Sequence, residues 1–142
     1  MTAPEPIRPV SPPWSLAHLP PALLILAVAA AVTAPIAALV GDGWGSAAAS
    51  LAGFAVVALA FTVSSVVVAA AGSISDALTL PAALSVYAFK VVILGIVLVS
   101  VRDSESVDTK ALAWSVALGT IVWVVAQCVR FARTPLYYVD PR

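Results

Sequence analysis

The chain has 142 residues and a formal net charge of zero; 62% of the residues are hydrophobic and only 10% are charged. A soluble domain carries about a quarter of charged residues, so this composition indicates a membrane protein, and a zero net charge offers no basic field to attract nucleic acid. With one cysteine, Cys128, and one histidine, His18, the usual disulfide, metal and triad-based sites lack their residues, so we expect neither a cofactor nor an enzyme.

The chain begins with a proline-rich segment, residues 1–21. We expect it to be extended or irregular, because proline lacks an N–H and disfavours helix in the residue before it. Its last two residues, Pro20 and Pro21, suit the first turn of a helix, where a missing N–H loses no hydrogen bond. Four apolar runs follow, at residues 23–40, 44–71, 81–101 and 111–131.

Each apolar run reaches or approaches the ~20 residues that cross ~30 Å of hydrocarbon as a helix. The connections between the runs are short, which predicts antiparallel neighbours. The sequence therefore predicts an all-α membrane protein in which residues 22–133 form four transmembrane helices. We expect these helices to form two antiparallel hairpins, followed by a short cytoplasmic tail at residues 134–142.

The lysines and arginines predict the orientation, because cytoplasmic loops are enriched in them. Four crossings place both termini on one side of the membrane. That side carries Arg8, Arg130, Arg133 and Arg142. The opposite side carries Arg102 and Lys110, in the third connection. We therefore expect a multi-pass protein of the cell (plasma) membrane with both termini in the cytoplasm.

Small residues recur every four positions near the start of the second run, at Gly45, Ala49 and Gly53. This spacing lets two helix backbones approach closely, which is how helices associate in lipid. We expect the contact to be intramolecular. The alternative is docking against another subunit, including a second copy of this chain, which uses the same packing physics.

One charge lies inside the third run, Lys90 in "SVYAFKVVILGIVLV". A lysine at the centre of a bilayer costs roughly 3 kcal/mol on insertion scales, and the four runs contain no Asp or Glu that could pair with it. Two interpretations remain open. The ammonium could reach the headgroups or donate to Tyr87, Gln127 or nearby hydroxyls, or it could meet a carboxylate of another protein.

Several polar residues share the depth of Lys90. At about 1.5 Å of rise per helical residue, they fall in one band about 9–16 Å from the cytoplasmic interface. The members of this polar band are Thr33, Thr62, Ser64, Ser65, Lys90 and Gln127. Their hydroxyl and amide groups are therefore the candidate partners of Lys90 within the chain.

The residues Ala88-Phe89-Lys90-Val91 resemble the hallmark of the third helix in the ATP synthase protein I (subunit I) family. The fourth helix and the tail are similar to one branch of that family, as is the glycine-rich start of the second run. The matching positions of the fourth helix and tail are Val122, Trp123, Ala126, Gln127, Tyr138, Val139 and Pro141. Two features depart from the family pattern: Tyr87 stands in place of a common glutamate, and "TVSSVVV" replaces a common Pro-Asn pair.

The resemblance implies a small membrane protein that helps to assemble the c-subunit ring of the F-type ATP synthase. The implied partner is the c subunit or another membrane-sector subunit, and the candidate partner-binding residues are Lys90, Tyr87, Phe89 and Gln127. The alternative function is a magnesium transporter or channel supplying the synthase. Mg²⁺ prefers carboxylate oxygens and retained waters, which the apolar runs do not supply, so we expect no metal site.

Overall fold

The structure is a computed structural model that describes residues 16–101 and 107–133. The predicted proline-rich segment is therefore described only from residue 16 onward, and the predicted tail at residues 134–142 lies outside the described residues. A single 3₁₀ turn, Leu16–His18, leads into four helices. These are α1 (Leu19–Val40), α2 (Trp44–Ile74), α3 (Asp76–Val101) and α4 (Thr109–Arg133).

All four helices are long and apolar enough to cross a membrane, with lengths of 22, 31, 26 and 25 residues. At 1.5 Å per residue, even the shortest would span roughly 30 Å of hydrocarbon. The prediction of an all-α protein with four candidate membrane-spanning helices is confirmed.

The helix boundaries differ from the prediction at two places. Helix α1 begins at Leu19, which puts Pro20 and Pro21 within its first turn, where their missing N–H groups cost no helical bond. Helices α2 and α3 are separated by one residue, Ser75, although the sequence predicted a longer connection.

Ser75 makes this sharp turn because its backbone is extended (φ −163°, ψ 135°) while its peptide groups still serve both helices. Its N–H donates to the carbonyl of Ala71 at 3.1 Å, and its carbonyl accepts from the N–H of Leu78 at 3.0 Å. The end of α2 and the start of α3 are thus both hydrogen-bonded through one residue, which satisfies groups that would otherwise be orphaned.

Helix α2 lies at the centre and packs against the other three helices, while α1 and α4 also pack against each other. The buried apolar side chains lie where these three helices meet. They are Leu19, Ala22, Leu26, Ala49, Phe54, Val57, Leu112, Val116 and Trp123. No described side chain of α3 is fully buried. Its partly buried residues Leu94 and Leu98 contact this core from the outside.

The packing of α3 departs from the expected second hairpin. Helix α3 packs on α2, to which Ser75 ties it, and makes very little contact with α4. Helix α4 instead runs alongside α2, with Ser46 meeting Asp108 at one end and Phe61 meeting Trp123 further along. The described residues therefore form a three-helix core of α1, α2 and α4 with α3 on its outside.

Candidate functional site

Lys90 lies about halfway along α3 and points toward the central helix. Its Nζ atom is 3.5 Å from the centroid of the Phe61 ring on α2, and the side chain is half-buried. The Phe61 ring in turn packs against Trp123 of α4, with ring centroids 5.2 Å apart and planes tilted by 33°. Trp123 is only 2% exposed, so the Phe61 ring packs against a side chain that is itself buried in the core.

The contact with Phe61 compensates the buried charge of Lys90 only in part. A cation over an aromatic face gains about 0.5–2 kcal/mol, whereas a lysine at mid-membrane costs roughly 3 kcal/mol. Within the described part of the chain, the ammonium has no hydrogen bond and no carboxylate partner. The site therefore holds a cation that a second group, from outside the chain, could stabilise further.

The candidate residues beside Lys90 on α3 face outward. Tyr87 is 67% exposed and Phe89 is 64% exposed. No hydrogen bond joins the Tyr87 hydroxyl to Lys90 among the described residues, so the sequence-based idea that Tyr87 positions the ammonium is not realised here. Around Lys90, α3 presents two large aromatic side chains to its surroundings.

Gln127, the fourth candidate, lies away from Lys90. It is on α4, where it lines a cavity against the start of α1 together with Arg130, and α4 hardly touches α3. Lys90, Tyr87 and Phe89 thus share one stretch of α3, with Lys90 directed at α2 and the two aromatic side chains exposed, whereas Gln127 lies in a different environment.

The hydroxyls of the polar band do not form a network around Lys90. Thr33 donates to the carbonyl of Ala29 at 2.9 Å, and Ser64 and Ser65 donate to carbonyls four residues earlier in α2. Hydroxyls that bond to their own helix in this way are satisfied locally. Their oxygens could still accept from an ammonium, but no hydrogen bond joins Lys90 to any of these three hydroxyls in the described part of the chain.

Two side-chain hydrogen bonds connect α2 to the α4 side of the core, at positions that the sequence reasoning missed. The hydroxyl of Ser115 donates to that of Ser50 at 2.8 Å, and both side chains are buried. Nearby, Ser46 on α2 donates to Asp108 at 2.5 Å. The available signal was the four-residue spacing of Ser46 and Ser50, next to the small-residue pattern.

Two of the three predicted packing residues, Ala49 and Gly53, are buried in the three-helix core. A Cβ atom on Gly53 would lie 2.9 Å from the carbonyl oxygen of Leu112, so a glycine permits this close approach of α2 and α4. Gly45 is exposed and has no neighbouring atom within 4 Å of a Cβ built on it. The face of α2 that packs against α4 therefore includes Ser46 and Ser50, each one residue after a predicted position, and excludes Gly45.

Asp108 caps the start of α4. Its Oδ1 accepts from the backbone N–H of Ala111 at 3.0 Å and its Oδ2 accepts from Ser46, whose Oγ in turn accepts from the N–H of Asp42 at 2.8 Å. The hydrogen bond from Ser46, followed by that from Ala111, lowers the pKa of the Asp108 carboxyl below its ordinary value. This carboxylate therefore joins the α1–α2 turn to the start of α4.

No protein-family model matches the chain, and no curated protein or solved structure matches it either. Among the described residues, no three His, Cys, Asp or Glu side chains lie close enough together to hold a metal ion.

Proposed function

We propose that this protein is an assembly factor that binds c subunits within the membrane while the c ring of an F-type ATP synthase forms. The observation that carries the proposal is the incompletely compensated ammonium of Lys90 within a candidate membrane span. The resemblance of residues 88–91 to the ATP synthase protein I family supplies the identity of the partner.

The partner implied by that family carries an essential carboxylate near mid-membrane. An unpaired carboxylate in lipid is as costly as an unpaired lysine, so bringing the two charges together relieves both at once. The aromatic face of Phe61 holds the ammonium in the absence of the partner, at a gain smaller than the cost of burial. A cation with such a moderate resident partner can bind a carboxylate and release it again.

The position of α3 supports binding by this helix. It lies outside the three-helix core, and Tyr87 and Phe89 are exposed next to Lys90. Aromatic side chains supply much of the contact area in binding sites. We therefore assign partner binding to Lys90, Tyr87 and Phe89, and leave Gln127 out of the binding surface.

We further propose that all four helices cross the plasma membrane, with both termini in the cytoplasm. The start of α1 and the end of α4 lie together, because a guanidinium nitrogen of Arg130 donates to the carbonyl of Ala17 at 3.2 Å. Arg130 and Arg133 lie in the last turn of α4, as expected for a cytoplasmic end. Labelling of single cysteines, after Cys128→Ser, tests this orientation; labelling of either terminus from outside the cell contradicts it.

The assembly proposal is tested by replacing Lys90 with methionine, which keeps a long apolar stem and removes the charge. We expect Lys90→Met to insert at least as well as the wild type, because the cost of the buried charge is gone. Co-purification with c subunits and the yield of c rings should both fall. The matched control is Lys110→Met, which removes the other lysine, an exposed residue at the start of α4. An unchanged ring yield in cells that depend on this protein contradicts the proposal.

A substitution at Tyr87 distinguishes this proposal from magnesium transport. Tyr87→Glu places a carboxylate one helical turn from Lys90, where it can pair with the ammonium internally. An assembly factor should then capture the c-subunit carboxylate less well. A transporter should gain activity instead, because the new oxygens suit Mg²⁺. Higher magnesium uptake with an undiminished ring yield favours the transporter.

A further inference from the structure

A cavity that Lys90 does not line lies between the start of α1 and the end of α4. Its volume is about 250 Å³, and its apolar wall includes Pro21 and Ile25 of α1 and Val129 of α4. Its polar residues are Gln127, Arg130 and Arg133, all on α4. The proposed c-subunit surface includes none of these residues, and Arg130 and Arg133 entered above only as markers of orientation.

The cavity is lined by two arginines and lies at the boundary of the candidate membrane spans. Arg130 is the last residue of the span in α4, and Pro21 is near the first residue of the span in α1. Two guanidinium groups line the cavity, and none of the described lining residues is acidic. Arginine is always charged, and its planar fork matches the oxygens of a phosphate group.

The arrangement of polar and apolar groups identifies the kind of anion. The amide of Gln127 lies about one helical turn further into the span of α4 than Arg130, and Ile25 lies about one turn further into the span of α1 than Pro21. A soluble anion would need only the charged rim, whereas a lipid fits both the rim and the apolar wall. Basic pockets between membrane helices are typical sites for anionic lipid headgroups.

We propose that this cavity binds the phosphodiester headgroup of one anionic phospholipid. Arg130 and Arg133 bind the phosphate oxygens, Gln127 donates to the glycerol or ester oxygens, and an acyl chain lies against Ile25 and Val129. The hydrogen bond from Arg130 to the carbonyl of Ala17 fixes that guanidinium at the cavity. The proposal concerns a site distinct from the c-subunit surface and does not depend on it.

The competing explanation is that Arg130 and Arg133 only orient the helix, through the cytoplasmic preference for basic residues and the partial negative charge at a helix end. Such anchoring attracts anionic lipids collectively and requires no single bound molecule. A binding site instead predicts one retained lipid, a preference for the headgroup, and a dependence on the uncharged Gln127.

Native mass spectrometry of the full-length protein in a non-ionic detergent tests the proposal. The probes are phosphatidylglycerol and phosphatidylcholine with identical acyl chains. We expect one phosphatidylglycerol to be retained about 25-fold more tightly than phosphatidylcholine, because two arginines line the cavity and each basic residue near the surface contributes about a factor of five. Arg133→Gln should therefore lower the preference about fivefold. Gln127→Leu should weaken retention of both lipids. The matched control, Lys110→Gln at the opposite end of α4, should change neither.

Three results overturn the proposal. Equal retention of the two lipids by the wild type shows that the headgroup is not recognised. This comparison uses only the wild-type protein, so the folding of a variant does not affect it. An equal loss of the preference for phosphatidylglycerol in Lys110→Gln and Arg133→Gln shows that the preference follows the net charge of the protein. Displacement of the bound lipid by millimolar inorganic phosphate means that the cavity is a site for soluble anions.

Discussion

The ammonium nitrogen of Lys90 lies 3.5 Å from the centroid of the Phe61 ring, so a charge on α3 rests on an aromatic face of α2. Because Phe61 also packs on Trp123 of α4, three helices meet at this charge. Helix α3 makes very little direct contact with α4. Phe61 therefore connects the charge on α3 to a buried side chain of α4.

A double-mutant cycle measures this connection. We expect Phe61→Leu to lower the free energy of unfolding by about 1 kcal/mol more in the wild type than in Lys90→Met, because only the wild type loses a cation–π contact. Titration with a denaturing detergent measures all four variants. Phe61→Leu loses the same packing on Trp123 in the wild type and in Lys90→Met, so this loss cancels in the difference between the two free energies. Additive effects of the two substitutions would contradict an energetic coupling between Lys90 and Phe61.

Two glycines in α2 provide a matched test of the close approach between α2 and α4. A Cβ on Gly53 would lie 2.8 Å from the Cβ of Ser115 and 2.9 Å from the carbonyl of Leu112, whereas a Cβ on Gly45 meets nothing within 4 Å. We expect Gly53→Ala to cost about 1–3 kcal/mol through overpacking and Gly45→Ala to be neutral or slightly stabilising. Equal effects at both positions would show that α2 and α4 are not packed at Gly53.

The buried hydrogen bond between Ser50 and Ser115 predicts a non-additive pair of substitutions. Each single change to alanine leaves the other hydroxyl without its partner, which we expect to cost about 1 kcal/mol. The double variant should cost less than the sum, because it leaves no unpaired hydroxyl. Ser64→Ala is the control, since Ser64 bonds only to a carbonyl of its own helix. Thermal unfolding in detergent compares the four proteins.

Asp108 predicts acid sensitivity of the folded state. Hydrogen bonds from Ser46 and Ala111 lower the pKa of its carboxyl below the ordinary value of 3.8. The folded state therefore favours the ionised form, so this stabilisation is fully present above about pH 3.8 and is lost as the pH falls through the lowered pKa. We expect Ser46→Ala to reduce the drop in unfolding temperature between about pH 6 and about pH 3. An identical drop in unfolding temperature in the wild type and in Ser46→Ala would show that Ser46 does not affect the titration of Asp108.

The sequence predicted the number and type of helices well, because a long apolar run has few alternatives to a membrane helix. Lys90 and Thr62 were expected at the same level, and the structure places Lys90 beside Phe61, the chain neighbour of Thr62. The turn at Ser75 was harder to predict, because serine and aspartate in "GSISDALTL" read as a loop although most of these residues are helical.

The sequence did not indicate which face of each helix packs against the other helices. In water, polar residues mark the outer face of a helix, but in lipid both the core and the surroundings are apolar. Helices α1, α2 and α3 are apolar on nearly every side, so nothing in their pattern places Phe61 toward Lys90 or Gln127 toward α1. The serines at positions 50 and 115 became informative only once the two helices were seen side by side.

The hydrogen bond between Ser50 and Ser115 joins residues 65 positions apart in the chain, and this separation has a consequence during biosynthesis. A ribosome adds about 5–20 residues per second, so Ser115 is made roughly 3–13 s after Ser50. In that interval α3 can already fold back onto α2 across Ser75. Helix α4 is the last to emerge, and its insertion beside α1 and α2 completes the core.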